Sequence, residues 1–142
     1  MVDPKIKDIF YKKTNLQSDM IKYSLEGLKS NDDIEILNCL YELSSNLSLA
    51  NDTIAEDPNC ISLIKELVVQ LDKYSFFPEL TIIAMQCINL FLDINPRFSS
   101  TIVKAKGIKK IVLLTQNIEF IDLAENAIKC IEKLSLEILM FS

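Results

Sequence analysis

The chain has 142 residues, enough for one domain with its own core, and 49% of them are hydrophobic. A net charge of −5 argues against a surface built to bind nucleic-acid phosphates, because that affinity comes from clustered Lys and Arg. The absence of His removes the usual general base and the commonest metal ligand, so a Ser-His or Cys-His nucleophile and a His-containing zinc site are excluded within these residues.

From Met1 to about Asn15, Lys5, Lys7, Lys12 and Lys13 stand beside Ile6, Ile9 and Phe10. Residues 1–18 read as an N-terminal extension, with at most a partial helix. Asp8 and the apolar residues break up the lysines, which makes a weak basic cluster for nuclear targeting or for an acidic contact. No apolar leader opens the chain, and no apolar run approaches the roughly 18 residues of a membrane span, so a cytoplasmic and/or nuclear location is expected. The sequons at Asn46 and Asn51 would then be idle.

Asp19 to Leu28 reads as a helix with Met20, Tyr23, Leu25 and Leu28 as its apolar set, interrupted by Ser30-Asn31-Asp32. Asp32 is placed to cap a longer helix, with Glu35 in the reciprocal capping position and Ile36, Leu37, Leu40, Leu43 and Leu47 as the buried stripe. A short helical piece is expected over Leu47 to Ala55. Pro58 then suits a helix first turn, where its missing N–H needs no partner, and Ile61, Ile64, Leu67, Val68 and Leu71 continue at helical spacing. Pro78 opens the next long helix by the same device, and that helix ends before Asn95-Pro96. Asn95 can cap a short helix, Arg97 to Ala105, that stops at Gly107. Ile108, Ile111, Val112 and Leu114 mark a middle helix. From Phe120 a last long helix carries Leu123, Ala124, Ala127, Ile128, Ile131 and Leu134 on one face. The final Leu136-Glu137-Ile138-Leu139-Met140-Phe141 has no polar cap, as expected of a piece of a longer chain.

A short motif recurs on the long helices: Asn38-Cys39-Leu40, Gln86-Cys87-Ile88 and Lys129-Cys130-Ile131, each with a large apolar residue three places on. The cysteines lie 48 and 43 residues apart. A helical period of roughly 40 to 47 residues marks HEAT and armadillo stacks. The predicted fold is therefore all-α, a right-handed α-solenoid of about three armadillo (HEAT-like) repeats, residues 19–49, 50–95 and 96–137. A four-helix bundle would explain the helices but neither the recurring motif nor the short, middle, long order around Gly107. The four cysteines, with no CxxC pair, are expected to be reduced and packed.

In an armadillo stack the third, longest helix of each unit lines the groove in which a partner is read. Taking Leu40/Leu43, Ile88/Phe91 and Ile131/Leu134 as core leaves Asn38, Gln86 and Lys129, and one turn on Glu42, Leu90 and Lys133, on the opposite face. With Tyr41 and Asn89 beside them, these are the candidate groove residues. Other constellations are weaker. Asp122 and Glu125 suit a helix N-terminus through the dipole, as do Glu56 and Asp57. Lys104, Lys106, Lys109 and Lys110 form the most basic segment, a solvated loop or a local site for an acidic partner. One glycine at Gly107 is too few for a phosphate cradle.

Ala105 to Leu114 resembles the junction of the first two helices of an armadillo repeat. Leu92-Asp93-Ile94-Asn95-Pro96-Arg97-Phe98-Ser99-Ser100 and Ile121-Asp122-Leu123-Ala124-Glu125 are the most specific parts of a wider likeness, from about Met20 to Leu136, to one class of HECT ubiquitin ligases. These are the ubiquitin-fusion-degradation ligases and their thyroid-receptor-interacting relatives. The resemblance implies a segment that engages substrates, ubiquitin or ubiquitin-fusion proteins, while a distant HECT domain carries the catalytic cysteine. It implies no catalytic residue, no metal, no cofactor and no small-molecule substrate for these residues. The alternative is a free-standing armadillo adaptor for transport or signalling. Nuclear-import adaptors carry a Trp and Asn ladder where this chain has Asn38, Gln86 and Lys129, then Glu42, Leu90 and Lys133, and it has no Trp at all.

Overall fold

The computed structural model describes residues 17–141, and every regular element among them is helical. The lysine-bearing stretch from Met1 to Asn15, read as part of an extension with at most a partial helix, lies outside the described residues. Helix α1 covers residues 17–27, α2 Asp33–Ser48, α3 Asn59–Gln70, α4 Pro78–Ile94, α5 Ser99–Lys104, α6 Gly107–Leu114 and α7 Ile121–Phe141. Three short 3₁₀ turns, Asp52–Glu56, Leu71–Ser75 and Pro96–Phe98, join them.

The boundaries follow from local chemistry. Asp32 caps α2, its carboxylate accepting the Ile34 N–H at 2.9 Å. Glu35 does not complete the predicted reciprocal box directly. The Ser30 hydroxyl already accepts the Asp32 N–H at 3.1 Å, and it donates to Glu35 at 2.6 Å, so the contact is relayed through Ser30. Asp57 accepts the Asn59 N–H at 2.9 Å at the start of α3, with Pro58 immediately before the helix. Pro78 stands in the first turn of α4. Asn95 ends α4 and accepts the Arg97 N–H at 3.1 Å, so the predicted short helix starts as the turn Pro96–Phe98 and runs into α5.

The break before α6 differs in its cause from the one expected. The left-handed residue is Lys106, at φ 61°, while Gly107 opens α6 and is buried. A Cβ on Gly107 would lie 2.9 Å from Ile102 Cγ2 and 3.3 Å from Val68 Cγ2, so here glycine serves the close approach of α5, α6 and α3 rather than an unusual backbone angle.

The long helices α2, α4 and α7 lie side by side with α4 in the middle, while α3, α5 and α6 form a second layer against them. Leu40 of α2 meets Cys87 of α4, and between α4 and α7 contacts advance together, Asn89 meeting Asn126 and Asp93 meeting Lys133, so these last two helices run in the same direction. Seven side-chain hydrogen bonds between units span 37 to 47 residues, which is the repeat period expressed as contacts. The fold is a helical solenoid whose later units each place a short helical turn before a helix pair.

Burial explains the central place of α4. Leu80, Ala84, Met85, Cys87, Ile88 and Phe91 are all completely buried, because one side meets α2, another α7 and a third the α3 layer. Phe91 takes the edge of Phe98 at 5.6 Å, tying the next turn to its end. All four cysteines are free and buried. Of the expected core pairs, Leu40, Leu43, Ile88, Phe91 and Leu134 are buried and Ile131 half-buried. Tyr23, Ile61, Val112 and Ile128, counted in the apolar stripes, are exposed, because each helix meets only its stack neighbours and the edges of its stripe stay open.

Candidate partner-binding face

The recurring polar positions sit on three side-by-side helices, but they do different work. Asn38 and Glu42 of α2 are exposed and turn toward α1. There they line a cleft of about 550 Å³ with Tyr23, Glu26, Ser30 and Glu35. Gly27 forms part of its wall, since a Cβ there would come within 2.7 Å of Cys39 Sγ. The sequence reading missed Tyr23, Glu26 and Glu35 as neighbours of the ladder. Their proximity depends on how α1 folds back on α2, which helical spacing does not report.

Tyr41 is exposed, and its hydroxyl donates to Glu79 at the start of α4. That hydrogen bond, followed by slight burial, pushes the phenol above its ordinary pKa, because the proton is held against a carboxylate. Tyr41 therefore spans the α2–α4 seam at its surface.

On α4, Gln86 and Leu90 are half-buried, whereas Asn89 is buried at 6% exposure. Its amide donates to the Asn126 carbonyl of α7 at 3.0 Å, and its Oδ1 has no partner among the described residues. Asn89 thus belongs to the packed seam rather than the open face. On α7, Lys129 is exposed and makes no ion pair among the described residues. Lys133 instead pairs with Asp93 at 2.9 Å and donates to the Asn89 carbonyl at 3.4 Å, fastening α7 to α4.

The eight predicted residues therefore divide. Tyr41, Asn89 and Lys133 join the long helices, while Asn38, Glu42 and Lys129 are exposed and Gln86 and Leu90 half-buried. The offered chemistry is a carboxylate and an amide at the first unit, an amide and an aliphatic surface at the second, and a cation at the third.

The remaining candidates fall into place around this face. Asp122 and Glu125 are exposed in the first turns of α7, and the Asn126 side chain donates to the Asp122 carbonyl at 2.8 Å. Lys104, Lys106 and Lys109 are exposed, while Lys110 pairs with Asp72 at 3.0 Å. The thiols are set for packing. Burial pushes Cys60 and Cys130 up to about 12 and raises Cys87 further still, so none of these three is ready to ionise near neutrality. Cys39 is raised as well, by burial and then by the nearby Glu42 carboxylate.

A family profile described as E3 ubiquitin-protein ligase TRIP12-like, TPR repeats, matches residues 4–140. No curated protein and no solved structure matches the chain. The profile names TPR repeats, helix pairs of about 34 residues. Like armadillo repeats, these are helical units stacked into a solenoid.

Proposed function

Because the chain belongs to the family of TRIP12-like E3 ubiquitin-protein ligase repeats, we propose that it is the segment of a ubiquitin ligase that holds a protein partner, a substrate or ubiquitin itself. The parent chain on this reading is a HECT-type ligase of the cytoplasm or nucleus, and the chemistry of transfer lies in another domain. One observation supports this most directly. Three side-by-side helices carry a ladder of surface positions, Asn38/Glu42, Gln86/Leu90 and Lys129, whose polar side chains form no hydrogen bond or ion pair among the described residues, with Leu90 half-buried against the core. Mixed charge around a half-buried aliphatic residue suits a protein surface, whose interface cores are apolar and rims polar.

The test is titration of the chain with ubiquitin, and with a ubiquitin-fusion protein, by isothermal calorimetry. Lys129→Glu and Glu42→Lys each reverse a charge without touching the seams, and are expected to weaken binding several-fold with unchanged helical circular dichroism. Lys133 is unsuited to this purpose because its loss would loosen α7 from α4. Binding that is unaltered in both variants would remove the ladder from the site.

A further inference from the structure

We propose that the edge of the stack where the three long helices begin docks a basic segment of a partner protein that carries large apolar side chains. An exposed apolar residue stands at each start: Ile34 in the first turn of α2, Phe76 just before α4 and Ile118 just before α7. They are 56%, 66% and 93% exposed, and they lie 42 residues apart. The starts share one edge. Lys73 pairs with Asp33, the first residue of α2, at 2.6 Å, which brings the start of α2 to the turn that leads into α4, and α4 and α7 run in the same direction.

Phe76 carries the argument, because its unit has a neighbour on either side and its exposure does not depend on where the stack ends. Phe77 packs against the core, while Phe76 stays out in solvent. An exposed aromatic in the middle unit, with an aliphatic residue at the matching edge of the units beside it, is the kind of surface that proteins keep for a partner.

The charge of that partner follows from the rim. The first turn of each long helix carries an exposed acid, Glu35, Glu79 and Asp122, and none of the three is in an ion pair among the described residues. The helix dipole accounts for such acids but not for the apolar side chains among them. Lys73 and Lys110 are already held by Asp33 and Asp72, and exposed Lys29 is the opposing charge. Apolar seats within a negative rim favour a cationic segment, and they repel anionic lipid and nucleic-acid phosphate, so the occupant is protein. Packed helices lie about 8–10 Å apart, and a polyproline-II chain covers about 9 Å in three residues while returning to the same face. The segment that fits has a large apolar residue at every third position and Lys or Arg between. Neither the seats nor the acids belong to the polar ladder, so failure here leaves the ladder reading standing.

The full chain would be titrated, by fluorescence anisotropy, with two labelled 12-residue peptides that carry Leu at every third position. One has Lys at the positions between and the other Glu. The Lys peptide is expected to bind at least about 10-fold more tightly. Phe76→Ser should weaken it at least about 5-fold, as should Glu79→Gln with Asp122→Asn, and all these side chains are exposed, so circular dichroism should stay unchanged. Equal binding of the two peptides, binding of neither, or binding of the Lys peptide that Phe76→Ser leaves unaltered would overturn the proposal. So would a dimer, seen by sedimentation, that Phe76→Ser dissolves, because the occupant would then be a second copy of this chain.

Discussion

Raising the pH from 8 to 10 should destabilise this fold through its buried thiols, and one substitution isolates the effect. The thiol of Cys130, fully buried on α7, is pushed from 9.0 up to about 12, chiefly by burial. Above pH 9 the unfolded chain therefore releases a proton that the folded chain retains. Stability is intact below the unfolded pKa and falls as pH rises through the window from 9 to 12. Each pH unit in that window costs about 1.4 kcal/mol per thiol. At pH 10 Cys130 alone should cost about 1.4 kcal/mol, and Cys60, raised equally, as much again. Such losses are a substantial part of the roughly 5–15 kcal/mol that holds a domain folded. Urea titrations of the reduced protein at pH 8 and pH 10, on wild type and Cys130→Ala, measure the difference. Lysines and tyrosines titrate in both proteins and cancel in the comparison. The variant should lose about 1.4 kcal/mol less than wild type on going to pH 10. An identical pH dependence in the two proteins would refute the reasoning.

Two further perturbations test the packing. Gly27→Ala drives a Cβ to within 2.7 Å of Cys39 Sγ, so about 1–3 kcal/mol of overpacking should exceed the helix-propensity gain of at most about 1 kcal/mol. Adding Cys39→Ala should recover most of that loss in a double-mutant cycle, and simple additivity of the two changes would show that the contact is not the cause. Asn89→Leu gives up one hydrogen bond worth about 1 kcal/mol but also removes the unpartnered Oδ1, so its stability should stay within about 1 kcal/mol of wild type. Asn89→Asp places a carboxylate in the seam without the amide donor and should cost about 3 kcal/mol or more; equal urea midpoints for the two variants would contradict the assigned contact.

The repeat was legible in the chain because spacing carries it. Cys39, Cys87 and Cys130 occupy equivalent buried positions, and the periodic contacts between units follow from that register. Pro78 and Asn95 announced the limits of α4 through backbone chemistry alone, one lacking an N–H and the other supplying a cap. What spacing could not tell was which polar residues the stack would use for itself. Asn89 and Glu42 both follow buried helix positions closely. The packing of α7 on α4 puts Asn126 against Asn89, while Glu42 faces the cleft beside α1 and stays exposed. Gly107 likewise read as a helix stop. Its actual reason, the nearness of Ile102 and Val68, depends on tertiary approach.

The central claim is that the α2–α4–α7 face holds the partner. Hydrogen exchange on the chain alone and in the presence of saturating ubiquitin or ubiquitin-fusion protein tests it most directly. The account predicts slowed exchange in peptides covering Asn38–Glu42, Gln86–Leu90 and the turn around Lys129, with α3 and α6 unchanged. Protection confined to α3 and α6 would place the partner on the opposite layer and contradict the claim.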